Sequence, residues 1–278
     1  MEKIISVGTL VYDGYDLKTA LENLSQLGIR YVELDSIKGL FEHIRPKDFE
    51  DKKVRDKIKR LLQEFHLSCV SFSAHMDLTT VGAISEFERR MLFARELGVK
   101  IINTIAGPSE KLNIFYKNIN SIDKMAKSLG LIIALETHGD IISHSDSKKV
   151  LEKIGSSNIK INYDFVNVVQ LSKKRINLRE DFASILDWVA HLHLKDIVLT
   201  EDTWHFTEIG KGEINYPEIF QLLRDCQRNI PVSIELPLRL RVSTKGCTWK
   251  TESVPKIEII NYIVKRSFQY VKKLLQKS

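Results

Sequence analysis

A mark repeated four times constrains this 278-residue chain more than any other feature: Leu27-Gly28, Leu97-Gly98, Leu129-Gly130 and Ile154-Gly155 each precede a run of β-branched and apolar residues. Glycine after a helical turn supplies the left-handed cap that ends a helix. Each mark therefore reads as helix, stop, strand. Eight β-rich runs fit this rhythm: Ile4 to Leu10, Tyr31 to Leu34, Cys69 to Phe72, Lys100 to Ile105, Leu131 to Glu136, Ile159 to Asp164, Val189 to Leu194 and Val232 to Leu236. Their starts lie roughly 30 residues apart, the size of one βαβ unit. Between them, apolar residues recur at helical spacing, as at Leu112, Phe115, Ile119, Ile122, Ala126 and Leu129.

Eight such units without a Pro/Gly-rich linker predict an α/β chain folded as a single (β/α)8 barrel domain over residues 1–278. An open doubly wound sheet would show a glycine-rich phosphate turn after an early strand, and GTLVYDGYD is not one. The basic segment around Lys52 to Arg60 reads as a helix with a solvated outer face. Lys256 to Lys273 reads as the amphipathic helix that closes the barrel.

Charge and cysteine content bound the partners. Lys and Arg number 42 against 36 Asp and Glu, a net +6 spread along the chain that permits nucleic-acid contact without arguing for it. Cys69, Cys226 and Cys247 are odd in number, far apart and without ligand spacing, so they read as reduced thiols of a cytoplasmic protein. No apolar run approaches a membrane span, and the first residues lack the pattern of a signal peptide.

In a barrel of this kind the chemistry sits where strands end. The fifth run ends in Glu136 and, two residues on, His138; the sixth in Asp164. The seventh carries His191, His193, Lys195 and Asp196, and the eighth ends in Glu235. Three carboxylates and an imidazole at one mouth would repel one another unless a cation sat among them. One divalent ion resolves this, and the oxygen-rich donor set suits Mn, Mg or Co, with Zn also admitted. The alternative is that each carboxylate is merely paired with a base such as Lys195.

The segments ALETHGD, INYDFVNVV, HLHLKD, EIGKGEINYPEIF and SIELP, in this order, resemble those of the xylose isomerase-like TIM barrels. That group includes sugar isomerases and epimerases, inosose dehydratase-like proteins and the endonuclease IV family. The resemblance spans nearly the whole chain. It implies Glu136, Asp164, His193 and Glu235 as metal ligands, with Glu136 and Glu235 the acid/base pair that moves a proton next to a carbonyl through an enediolate. The implied substrate is a small carbohydrate: a sugar, sugar phosphate or polyol-derived ketone. A homodimer or homotetramer is implied as well.

His75, His138, Asn167 and Lys195 are candidate substrate contacts; Lys195 alternatively pairs with Asp196. Glu33 is expected near the mouth, and His191 is given no ligand role. Gly210 and Gly212 are expected to let the loop after the seventh strand bend over the site. Pro237 to Pro255 is read as a lid, a phosphate grip through Arg239 or Arg241, or a subunit interface.

Two departures narrow the resemblance. Ketose 3-epimerases of the group carry a His where this chain has Asn167 and an Arg where it has Leu199. The endonuclease IV branch carries an Asp and a His where this chain has Trp204 and Phe206, so a three-zinc nuclease is disfavoured and no nucleic-acid partner is expected. The remaining rivals are a metal-dependent dehydratase, which begins with the same proton abstraction, and a non-catalytic sugar-binding barrel.

Overall fold

A computed structural model of the chain describes residues 3–172 and 176–276. The four glycines of the repeated mark all take the left-handed conformation, with φ of +76° at Gly28, +77° at Gly98, +66° at Gly130 and +65° at Gly155. A side chain at Gly28 or Gly98 would meet nothing within 4 Å. The backbone turn alone demands glycine there.

The strands that follow close a barrel: β1 Ile5–Gly8, β2 Tyr31–Ile37, β3 Ser68–Asp77, β4 Ile101–Ile105, β5 Ile132–Glu136, β6 Ile159–Asp164, β7 Val189–Leu194 and β8 Val232–Ile234. Each is parallel to its neighbours in chain order, and β8 returns to β1 with Ile5 opposite Val232. The helices are α1 Leu17–Gln26, α2 Lys52–Glu64, α3 Ala83–Glu96, α4 Leu112–Leu129, α5 Lys148–Ile154, α6 Phe165–Leu171, α7 Leu178–Ile185, α8 Tyr216–Asp225 and α9 Ile257–Gln276. Asp16 and Asp51 cap α1 and α2 by accepting the Thr19 and Lys53 amides. The result is a (β/α)8 TIM barrel in one domain. No helix among the described residues is long and apolar enough to cross a membrane.

β1 is shorter than its apolar run. The Asp35 carboxylate accepts the Leu10 amide at 2.9 Å and the Thr9 hydroxyl at 3.1 Å, which draws the chain into a single helical turn over Thr9–Tyr12.

Strand alternation sorts the side chains. Val32, Leu34, Phe72, Ile102, Ile133, Leu135, Ile161, Leu192 and Leu194 are buried in the apolar layer shared with the helices. Each such side chain contributes about 1.5–3 kcal/mol through burial. The alternate positions are polar and equally buried: Ser6, Glu33, Ser71, Ser73, Asn103, Glu136, Asn162, Asp164, His191, His193, Ser233 and Glu235. A barrel lumen is usually filled by branched apolar residues; here it is filled by a hydrogen-bonded polar network.

A four-stranded antiparallel sheet is added to the barrel. Ile197–Thr200 and Thr203–Phe206 follow β7, Leu240–Ser243 and Thr248–Lys250 follow β8, and the two hairpins join where Trp204 faces Val242. Segment 237–255 thus contains a β-hairpin tied to the rim, with Asp13 3.0 Å from both Arg239 and Lys250. Arg241 donates to the Leu238 and Leu240 carbonyls. Both guanidinium groups are engaged within the protein.

Candidate functional site

Each strand end delivers its side chain by the same alternation. Asp164 is the last residue of β6 and the cap of α6: Oδ1 accepts the Val166 and Asn167 amides at 2.9 and 3.0 Å, which leaves Oδ2 for the barrel axis. Glu136 ends β5, His193 is the penultimate residue of β7 and its last inward one, and Glu235 follows β8 directly. Donor atoms of Glu136, Asp164, His193 and Glu235 all lie within 4.8 Å of one another, and all four residues are buried. The sequence set therefore converges.

The imidazole of His193 is held from both sides. Nδ1 lies 3.2 Å from Glu136 Oε1 and 2.9 Å from Glu235 Oε2, while Nε2 lies 2.8 Å from Glu33 Oε1. Glu33 is in turn fixed by Ser71 and Asn103, each 2.6 Å from Oε2. Glu33 is not at the mouth, as expected from the sequence, but deep in the lumen. His191 stands beside it, with Nε2 3.7 Å from Glu33 and Nδ1 3.0 Å from Asn162. Glu33, His191 and His193 form a second cluster of potential ligand atoms. With both oxygens of Glu33 already committed, that cluster serves to orient His193.

Lys195 does not pair with Asp196. Its ammonium lies 2.7 Å from Asp164 Oδ2, 2.7 Å from Glu235 Oε2 and 3.7 Å from Glu136 Oε1. Residues 193 and 195 share a strand face, whereas 196 points the other way. Asp196 instead accepts the amides of Ile197, Gly210, Gly212 and Ile214 at 2.8–3.2 Å. The Gly210–Gly212 loop is therefore wrapped around that carboxylate rather than bent over the site. A Cβ at Gly212 would stand 2.2 Å from Asp196 Oδ1 and 2.4 Å from the Ile197 carbonyl oxygen.

The other candidates are also placed. His75 Nε2 is 2.9 Å from Glu136 Oε2, and Asn167 Nδ2 donates to Glu136 Oε1 at 3.0 Å. His138, His75, Asn167, Lys195 and Glu235 all line one cavity of about 430 Å3 beneath the added sheet.

Electrostatics follow from burial and charge. Burial pushes the Glu235 carboxyl up, but His193 and Lys195 outweigh it and bring it down to about 2. Glu136 is likewise held well below the usual range, by His75 and Lys195 against burial. For Asp164, burial together with the Glu136 and Glu235 charges outweighs Lys195 and pushes it up to about 6. Burial pulls His193 down, yet Glu235 and Glu33 hold it well above the usual imidazole value. Lys195 is raised by Asp164, Glu235 and Glu136 against its own burial. His138 is crowded by protein although its side chain opens to solvent, and that crowding lowers its pKa.

The donor set fits a divalent cation. Glu136 Oε2, Asp164 Oδ2 and Glu235 Oε2 are buried and face cationic or ring-nitrogen groups rather than backbone donors. Only the nearby charges of His75, His193 and Lys195 compensate them. Three buried carboxylate oxygens converging beside a fixed imidazole nitrogen form the ligand chemistry of such an ion, and Glu33 on the far nitrogen supplies the orienting partner that metal-binding histidines carry.

Solved structures share this fold end to end. The probable 3-DHS dehydratase AsbF of Bacillus anthracis superposes with a TM-score of 0.71 at 16% identity, covering 98% of this chain and 99% of that one. D-psicose 3-epimerase of Clostridium cellulolyticum H10, solved with D-tagatose, gives 0.76 at 12% identity, covering 99% and 100%. A xylose isomerase-like TIM barrel protein of Mycobacterium smegmatis in complex with magnesium gives 0.74 at 14% identity, covering 98% of each. A comparison with curated protein sequences found no match. The xylose isomerase-like TIM barrel family model matches residues 21–253, which takes in all of the site's carboxylates and histidines, and the chain belongs to that family.

Proposed function

We propose that this protein is a divalent-metal-dependent isomerase or epimerase that moves a proton on the carbon next to a carbonyl of a small carbohydrate-like substrate. One observation carries the reading: Glu136, Asp164, His193 and Glu235 meet within 4.8 Å beneath a cavity lined in part by Glu235. The chemistry supplied by an ion bound to those four residues is Lewis-acid polarisation of the carbonyl oxygen.

The chain's own groups do the rest. Glu235, ionised at neutral pH and open to the cavity, is placed to take or return a proton. Glu136 is the second carboxylate, braced by His75 and Asn167. Removing a proton from one face and returning it to the other requires two such groups, and general-base transfer of this kind accelerates a reaction by about 10² to 10⁴. His138, with its lowered pKa, and Lys195 are placed to hydrogen-bond the substrate oxygens. The D-psicose 3-epimerase and magnesium-bound neighbours support this reading by their shared fold. Dehydration next to the carbonyl would begin with the same proton removal, and product analysis distinguishes it. Three unpaired cysteines agree with a cytoplasmic setting.

The test is metal content by mass spectrometry on protein purified without chelator, followed by proton exchange from candidate ketoses in heavy water. We expect about one Mn, Mg, Co or Zn per chain, lost in Glu235→Gln, and deuterium incorporation beside the carbonyl. Absence of metal even after reconstitution refutes the reading.

A further inference from the structure

The oxygens that the site offers to a metal ion are already in contact with a cation of the chain itself. Oδ1 of Asp164 is spent on the Val166 and Asn167 amides. Oδ2 is therefore the oxygen Asp164 can give to an ion, and the Lys195 ammonium stands 2.7 Å from it. Glu235 Oε2 lies 2.7 Å from the same ammonium and 2.9 Å from His193 Nδ1. Lys195 thus spans two members of the four-residue ligand set. A divalent ion held by that set would bring a second positive charge to the same buried carboxylate oxygen, and like charges at such range repel strongly where water is excluded. Of the two cations, the ammonium has somewhere else to go. The Lys195 backbone is pinned, because the Tyr216 hydroxyl donates to its carbonyl oxygen, but the charge rides on a flexible four-carbon stem. That side chain also lines the cavity beneath the added sheet, together with His75, His138, Asn167 and Gln170.

Resting on the reading of the site given above, we propose that Lys195 is a displaceable counter-ion: a divalent ion that binds Glu136, Asp164, His193 and Glu235 drives the ammonium off Asp164 and Glu235 and into the cavity. Two consequences set this apart from a lysine that merely neighbours the ligands. Ion and ammonium compete for the same carboxylates, so each weakens the hold of the other. The N–H groups of Lys195, committed to carboxylates before the ion arrives, are released on the cavity side, where a substrate oxygen can accept them. Loading the ion and freeing a donor for the substrate are then one event.

Manganese binding to wild type and to Lys195→Met is measured by calorimetry, with circular dichroism to check that the variant is folded. We expect the variant to bind manganese at least about tenfold more tightly, because no ammonium has to be displaced. In parallel, wild-type protein is acetylated briefly with acetic anhydride in chelator and in saturating manganese, and the labelled lysines are located by mass spectrometry. This second measurement needs no variant. Labelling of Lys195 should rise severalfold once manganese is bound, while Lys52, exposed on α2, is labelled equally in both conditions. Manganese bound equally or more weakly by the folded variant, or labelling of Lys195 that manganese leaves unchanged or lowers, overturns this inference alone. Failure of wild type to bind manganese at all overturns the reading of the site as well.

Discussion

Lys195 occupies the place where the site's positive charge is needed, and its replacement tests the electrostatic account most directly. In Lys195→Met the side chain keeps its length but loses the ammonium that stands 2.7 Å from both Asp164 and Glu235. Removing one partner of a buried ion pair costs about 3–5 kcal/mol, because the remaining charge is left in a poorly solvating interior. Three carboxylates share this cation, but His193 also faces two of them, so the lower end, about 3 kcal/mol, is expected for metal-free protein at pH 7. For a chain of this size that is a fall in Tm of about 6–10 °C. Lys195 has a raised pKa, so its contribution is fully present below the unfolded-state value near 10.4 and is lost as pH rises through the folded value. Asp164 supplies a second handle. Its carboxyl is pushed up to about 6, so at pH 5 it is mostly protonated and the charge left behind by the substitution shrinks. The assay is thermal unfolding of wild type and variant in chelator at pH 7 and pH 5, then at pH 7 with saturating Mn. The gap between the proteins should narrow at pH 5 and close with the metal, which takes over the role of counter-charge. A metal-free variant as stable as wild type at pH 7 refutes the argument that Lys195 compensates these carboxylates.

Two further outcomes follow from the same geometry. His193, held above the usual imidazole value, and Asp164 must both lose a proton to serve as ligands, so apparent metal affinity should fall by about tenfold per pH unit between pH 7 and 6 and more steeply below about 6, where Asp164 also takes up its proton; titration calorimetry at pH 5, 6 and 7 that shows constant affinity would contradict their place in the set. Glu33→Gln keeps the shape of the contact to His193 Nε2 but removes its charge, and should weaken metal binding about 10- to 100-fold with little change in fold by circular dichroism.

The barrel was legible because its signals are local. Gly28, Gly98, Gly130 and Gly155 end helices in a conformation that only glycine adopts cheaply, and the runs after them became strands. Glu136, Asp164, His193 and Glu235 were legible because strand ends must face one another once the barrel closes. Glu33 was misplaced because nothing in YVELDS tells how far up the lumen a residue sits; that depends on the stagger of β2 against β7, two strands that are not neighbours. The alternative reading of Lys195, a pair with Asp196, overlooked the strand's period of two, which sends adjacent side chains to opposite faces. The added sheet escaped notice because its two hairpins lie more than thirty residues apart, and TWHF and LRVS are too short to declare a partner. The hairpin within segment 237–255 was not legible, because Asp13, which engages both Arg239 and Lys250, lies at the other end of the chain.

The polar lumen has a consequence for how the molecule assembles. Glu33 and His193 are separated by 160 positions, and Asn103 bridges Glu33 to both His191 and His193. A half-barrel that buried β2 to β4 without β7 would enclose Glu33 without the imidazole that offsets its charge, and one that buried β5 to β8 would enclose His193 without Glu33. Water must therefore remain between the strands until the last of them arrives. Folding should couple ring closure to expulsion of that water in one step, so that fragments split within the lumen do not dock as dry halves. The residues that would make the site work also set the order in which the protein can become solid.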